Sequence, residues 1–309
     1  MRTEKLIQDA ERALERHGFQ SAVNRFPPDC CFDMIAKNED SLLVIKTAHD
    51  LLEVPRGHVE ELCAISRWVS ATPLLLAERM GDEELDDDAV YIRHGAYAVS
   101  LGALERSLEG DPPLVEVSPL GCYVYIDGEA MRKRREELGL SVGELARLVG
   151  VSRMTIYSYE KGRRRTTPDV AYRLEYVLGI PIVVPVDPLK RKARGRHQGG
   201  SSPPGGLLGL VARLLGRLKL MVRALSKAPF EMMVKHDGEM INVALNVIHR
   251  RSYEAKRINS TREFVRLAGL HHLVIRPSDY ECPEDVRSVA IDELKSLRRP
   301  EEFAQLLTT

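Results

Sequence analysis

The chain has 309 residues, 44% hydrophobic and 29% charged, and its acids and bases balance to a net charge of zero. These values exclude a disordered chain and leave room for two or three domains with sizeable cores. Any basic surface is therefore local and offset by acidity elsewhere, as at 78–88 and 280–285.

The five cysteines (Cys30, Cys31, Cys63, Cys122 and Cys282) are odd in number and form no C-x-x-C pair. That pattern points to reduced thiols and a cytoplasmic protein, without a disulfide framework or a zinc ribbon.

Residues 3–17 predict an amphipathic helix, with Leu6, Ile7, Ala10 and Leu14 on one face and Gly18 as its stop. Its charges do not suit a signal peptide. An edge strand is expected over 20–25, before the break at Pro27-Pro28. The runs 32–37 (FDMIAK) and 41–46 (SLLVIK) flank the polar turn Asn38-Glu39-Asp40, a hairpin signal. A helix over 58–69, an apolar strand over 73–77, a strand over 90–92 and a helix over 100–108 follow. The alternation predicts an α/β domain over 1–112. Residues 115–117 and 122–126 predict a hairpin leading into a central domain, 113–186.

That domain carries the most specific pattern in the chain. Residues 129–138 predict a helix ended by Gly139. Ser141 and Glu144 form a capping box for a second helix, whose apolar face is Leu145, Ala146, Leu148 and Val149. Gly150 breaks it, Val151 packs inward, and Ser152 caps a third helix running to about Lys161. Ile156 and Tyr159, three apart, face the first two helices. This phasing predicts a helix-turn-helix.

Removing the buried positions leaves Ser152, Arg153, Met154, Tyr157, Ser158 and Lys161 for a groove. Arg153 suits a bidentate contact to guanine and Met154 a thymine methyl; Tyr157 and Ser158 suit a base edge or a phosphate. Lys161, Arg163, Arg164 and Arg165 surround Gly162 just past the helix, where phosphate anchoring calls for cations. The plainer alternative is a packing hairpin followed by a solvated basic loop.

Leu145-Ala146, Gly150-Val151-Ser152, Thr155-Ile156, Tyr159-Glu160 and Gly162 make 128–180 resemble the Xre or Cro-like, lambda-repressor-like DNA-binding domain. The resemblance implies an Arg135–Glu160 pair, base reading by Arg153, Met154 and Ser158, and a further helix over 168–178 with Pro168 in its first turn. The chain departs from that family in carrying the domain at its centre. The layout and the motif YSYEKG resemble an archaeal family of helix-turn-helix transcriptional regulators.

Residues 182–185 close the central domain. Residues 187–206 form a Gly/Ser/Pro-rich linker with a basic start (Lys190, Arg191, Lys192, Arg194, Arg196), suited to tethering, phosphate contact or both. A helix over 207–227 is expected to open a last α/β domain, 207–309, with Leu210, Val211, Leu214, Leu218 and Met221 packed inward. Its cations argue against a membrane span.

Phe230-Glu231-Met232-Met233-Val234-Lys235-His236-Asp237 then repeats the pattern of residues 32–39 without a gap. The next strands align as 42–45 with 240–243. Second helices (58–69 and 261–267), apolar strands (74–76 and 273–275) and terminal helices (100–108 and 285–297) recur in the same order. The reading is α/β with a central all-α domain: a duplicated α/β domain flanking the helix-turn-helix.

The helix–hairpin–helix–strand order resembles the restriction-endonuclease-like nuclease fold, as in archaeal Holliday-junction resolvases. The resemblance implies an aspartate at the hairpin start and an acid-x-lysine on its second strand, with paired carboxylates holding a divalent metal. Asp33 and Lys46 fit in the first copy, but Val44 replaces the second acid. Glu231 fits in the second, with Asn242 and Ala244 in place of acid and lysine. One carboxylate per copy is too few for a hard cation unless Glu11 or Asp50 supplies another, so no catalytic or metal residue is assigned.

His249, His271 and His272 form no clear metal set, since the last two, being adjacent, would point to opposite sides of a strand. No phosphate loop or G-x-S-x-G is present, so no cofactor is expected.

The expectation is a non-enzymatic, sequence-specific regulator of transcription binding double-stranded DNA, off the membrane, with any effector unknown. A homodimer is expected because one small module offers few base contacts. The alternatives are a metal-dependent, structure-specific DNA endonuclease targeted by the helix-turn-helix, and a scaffold whose helix-turn-helix binds protein.

Overall fold

A computed structural model describes residues 2–24, 29–162, 164–190, 205–236, 242–248, 254–280, 282–283 and 285–307. Most of the basic linker (191–204), Pro27-Pro28, Arg163, His249 and positions 240–241 of the aligned repeat lie outside the described residues.

The first unit contains α1 (Arg2–Arg16), β1 (Gln20–Val23), β2 (Met34–Lys37), β3 (Leu42–Asp50), α2 (Arg56–Trp68), β4 (Thr72–Met80), β5 (Glu83–Glu84), β6 (Ala89–Arg93), β7 (Ala96–Val99) and α3 (Leu101–Leu108). The central region contains β8 (Val115–Ser118), β9 (Gly121–Ile126), α4 (Gly128–Glu137), α5 (Val142–Val149), α6 (Arg153–Glu160), β10 (Arg164–Thr166), α7 (Pro168–Leu178) and β11 (Val183–Val184). The last unit contains α8 (Gly206–Arg217), β12 (Met221–Ala224), β13 (Met232–Lys235), β14 (Asn242–Val247), α9 (Glu254–Ala268), β15 (His271–Arg276), β16 (Ser288–Ala290), α10 (Ile291–Ser296) and α11 (Pro300–Gln305).

Among the described residues the strands form two sheets. One runs β1-β2-β3-β4-β7-β6-β8-β9-β10, with β5 on β4 and β11 on β9; the other runs β12-β13-β14-β15-β16. In both, an antiparallel hairpin (β2–β3, β13–β14) adjoins parallel strands (β3–β4–β7, β14–β15–β16). One face of the first sheet packs Leu43, Ile45, Leu74 and Leu76 against Leu6, Ala10 and Leu14 of α1 and Leu104 of α3. The other face packs Val44 and Leu75 against Val59, Leu62 and Ile65 of α2, and this core runs on into Phe230, Met233 and Phe264 of the last unit. Phe264 lies 5.1 Å, ring to ring, from both Phe32 and Phe230. Polar bonds cross the same contact: the Cys31 amide donates to Lys227 O (2.6 Å), Glu61 accepts from the Ser226 and Lys227 amides, and Asp29 pairs with Lys227.

The strand ladders shift part of the sequence alignment of the two units. Met34 lies opposite Ile45, and Met232 opposite Leu245. Residues 42–45 therefore correspond to 242–245, not 240–243, because the second hairpin turn is longer by two residues. Val44 and Lys46 then match Ala244 and Asn246, which corrects the pairing with Asn242 and Ala244. For the next strand, Val44 opposite Pro73 and Ala244 opposite His272 give the alignment expected from sequence.

Three other expectations change. The central region is not all-α, because β8 pairs with β6 and carries the first sheet on through β9, β10 and β11. The helix from 207 stops at Arg217; Lys219 takes a left-handed conformation (φ 59°) and the chain turns into edge strand β12, where Met221 is exposed. The apolar run is thus divided between a helix and a strand. Residues 288–290 form a strand, which shortens the predicted 285–297 helix to α10.

Candidate nucleic-acid interface

Local signals set the central helices. The Asp127 carboxylate accepts from the Glu129 and Ala130 amides to start α4 (3.0 Å each). Ser141 and Glu144 make the reciprocal capping box of α5, and Gly150 (φ 76°) ends it in the left-handed region. Ser152 Oγ accepts from the Thr155 amide at 3.0 Å and starts α6. Leu145, Ala146, Val149 and Ile156 are buried together with Met131 of α4 and Ala171 and Leu174 of α7. Leu148, expected on the apolar face, is 59% exposed: Leu145, Ala146 and Val149 already fill the edge of α5 that meets α6 and α7.

Buried Arg135 donates from Nε to Glu160 Oε1 (2.6 Å), from Nη2 to Glu160 Oε2 (3.1 Å) and from Nη1 to Leu140 O (2.7 Å). This is the pair implied by the family resemblance. The bond to Glu160 raises the Arg135 pKa against the opposing effect of burial. The fork ties the end of α6 to α4 and so orients the helix.

With Ile156 inward, α6 exposes Ser152, Arg153, Met154, Tyr157 and Lys161, while Ser158 is half-buried. The Lys161 ammonium lies 5.3 Å from the Tyr157 ring centre. The basic tract departs from the expected loop: residues 164–166 are β10, paired to β9 with Arg165 opposite Tyr125. Arg164 is exposed. Arg165 lies over the Tyr123 ring (4.4 Å) and approaches buried Glu116 (3.5 Å), so part of its charge is committed within the protein.

Sequence reasoning did not single out Tyr172 and Tyr176, which stand stacked and exposed on the outer face of α7. The signal was available as an i, i+4 aromatic pair opposite the Ala171–Leu174–Leu178 edge.

The acid at the start of each hairpin is bonded within the chain. Asp33 Oδ1 accepts from Lys46 Nζ (2.9 Å), and Oδ2 from the Thr47 amide (2.7 Å) and hydroxyl (2.8 Å). Glu231 Oε1 faces Arg257 Nη1 (2.6 Å), and its Oε2 accepts from Asn246 Nδ2 (3.2 Å) and the Val247 amide (2.9 Å). Asp50 accepts from the Leu52 and Gly81 amides and Glu11 from Ser21, and no group of three metal-ligating side chains forms among the described residues. A divalent cation needs several free oxygens; these donor sets, already bonded within the chain, do not fit one.

His271 is exposed, whereas His272 Nε2 bonds Asn246 Oδ1 at 2.8 Å, and burial lowers its pKa from 6.5 to about 4. No described helix is long and apolar enough to cross a membrane.

Residues 3–113 match a family described as PD-(D/E)XK superfamily domain, and residues 131–184 match one described as Helix-turn-helix. A Pyrococcus furiosus protein named "Putative HTH-type transcriptional regulatory protein" is 32% identical over 312 residues, covering 99% of this chain and 98% of its own. The chain belongs to that family. A member from Methanoregula boonei is 36% identical over 89% of this chain and 86% of its own. One from Methanocaldococcus jannaschii is 29% identical over 95% and 93%. The PD-(D/E)XK match covers the first α/β unit, and the helix-turn-helix match spans α4 to β11.

Proposed function

We propose that the protein is a cytoplasmic, sequence-specific regulator of transcription that places residues 152–161 in the major groove of double-stranded DNA. The reading rests chiefly on α6: it is capped, anchored by Ile156 and the Arg135–Glu160 fork, and leaves Ser152, Arg153, Met154, Tyr157 and Lys161 open on one side. Ser158 completes the base-reading set, and Lys161, Arg163, Arg164 and the free part of Arg165 anchor phosphates. The family's name supports regulation.

In this reading the central domain (113–186) is flanked by two copies of a nuclease-like α/β unit (1–112 and 207–309) that do not cut DNA, with the basic linker (187–206) between. Two chains bind two half-sites, because one module offers few base contacts.

Selection of bound sequences from a random duplex pool tests the function. The expected result is an enriched palindromic motif, lost on Arg153→Ala; a pool that stays random refutes the reading. A second reading, metal-dependent endonuclease, draws support from the PD-(D/E)XK match. The internally bonded Asp33 and Glu231 count against it. Magnesium-dependent cleavage abolished by Asp33→Ala would establish it instead.

A further inference from the structure

Two helical glycines of the central region are not explained by backbone conformation. Gly139, Gly150 and Gly179 have positive φ, where a side chain is strained; Gly128 and Gly143 do not. Within a helix, glycine is less favourable than alanine, so each must serve a neighbour.

At Gly128 that neighbour is backbone: a Cβ would collide with the carbonyl oxygen of Tyr159, where α4 meets the end of α6. Gly143, in the first turn of α5, differs. The three atoms nearest to a Cβ there all belong to the Arg153 guanidinium: Nε at 2.7 Å, Cζ at 2.9 Å and Nη2 at 2.9 Å.

Arg153 therefore folds back from the first turn of α6 and lies against the bare Cα of Gly143. Among the described residues no ion pair or hydrogen bond is found for its guanidinium, so contact with α5 sets its direction. Its planar fork is presented at the junction of α5 and α6, with its N–H groups available for a pair of acceptors such as guanine O6 and N7 or two phosphate oxygens.

We propose that Gly143 is a positioning residue for DNA recognition: the missing Cβ makes the space that aims Arg153. The proposal rests on the DNA-reading function above. A Cβ at 143 displaces only the flexible end of an arginine, so the fold is kept while the fork moves.

The experiment compares full-length wild type, Gly143→Ala, Arg153→Ala and the double variant by selection from a random duplex pool and by binding to the selected duplex across a salt series. G143A is expected to melt no lower than wild type. It should alter the same readout as R153A, about tenfold in preference at one base pair if the acceptors are a guanine edge, or about one unit of salt slope if they are phosphate. The double variant should be no worse than R153A alone. Wild-type behaviour of G143A, a loss that adds in full to that of R153A, or a fall in melting temperature overturns the proposal. Wild type enriching no sequence instead overturns the DNA reading itself, an outcome distinct from normal wild-type selection that G143A leaves unchanged.

Discussion

Asp33 and Glu231 stand at matching points of two hairpins, and each carboxylate is neutralised from a different direction. Asp33 takes its cation from the neighbouring strand, through Lys46 Nζ at 2.9 Å. Glu231 has Asn246 at that strand position and takes its cation from a helix, through Arg257 Nη1 at 2.6 Å. Arg257 also donates to the carbonyls of Ala228 and Pro229. His58, the counterpart of Arg257 on α2, faces Asp29 at 2.9 Å instead. Two hairpins of one shape thus draw the cation for this acid from different elements, while the backbone amide at the matching position, Thr47 or Val247, donates to the carboxylate in both. What is preserved is the carboxylate and its strand amide, not the cation that neutralises it.

The sharpest way to break this comparison is to remove the cations. Arg257→Ala strands a carboxylate buried to 6% exposure, and the expected loss of stability in urea unfolding is about 3 kcal/mol. A loss under about 1 kcal/mol would mean that Glu231 relies on its amide donors alone.

Acid comes next. His272 has a folded-state pKa of about 4 against an ordinary 6.5, so it is kept neutral in the fold. The unfolded chain takes up that proton first. Stability is therefore fully present above pH 6.5 and lost as pH falls toward 4, by up to about 3 kcal/mol. The first unit has Pro73 at this point, so His272→Gln should flatten most of the dependence in a pH series of melts. Lys46→Ala is expected to cost less than Arg257→Ala, about 1–2 kcal/mol, because the two Thr47 donors to Asp33 remain; equal losses would erase the distinction between the units.

The smallest effect concerns backbone. Left-handed turns recur at matching places, as Gly18 and Lys219 after the first helix and as Ser70 and Gly269 after the second. Lys219→Gly and Ser70→Gly should each stabilise by about 0.5–1 kcal/mol in thermal melts.

The helix-turn-helix was the most legible part, because its signals are local: Ser141 with Glu144, Ser152, Gly139 and Gly150 each act within one turn. Strands such as 74–76 were legible as buried apolar runs. The register of β14 was not, since two extra turn residues shift it without altering its composition. Strand β10 depends on β9 as a partner, so Arg164 and Arg165 read as a free loop. Lys219 hides a helix stop that a glycine would have announced. The meeting of Phe32, Phe230 and Phe264 joins distant parts of the chain and leaves no periodic trace. At the candidate interface, helical phase gave the exposure of Ser152, Arg153, Met154, Tyr157 and Lys161 but not the half-burial of Ser158, and the lean of Arg153 onto Gly143 required coordinates.

Strand β9 bonds to β8 through residues 121–124, while β11 continues the line of β8 along Tyr125 and Ile126 and β10 takes the opposite edge. The chain enters and leaves the central module side by side, with the Val186 amide donating to Pro113 O at 2.7 Å. The central module is thus mounted like a bracket on a beam, not hung from a cord. A duplex gripped by α6 would keep a fixed bearing to the α/β pair, and a twist of the long sheet would steer the DNA with it.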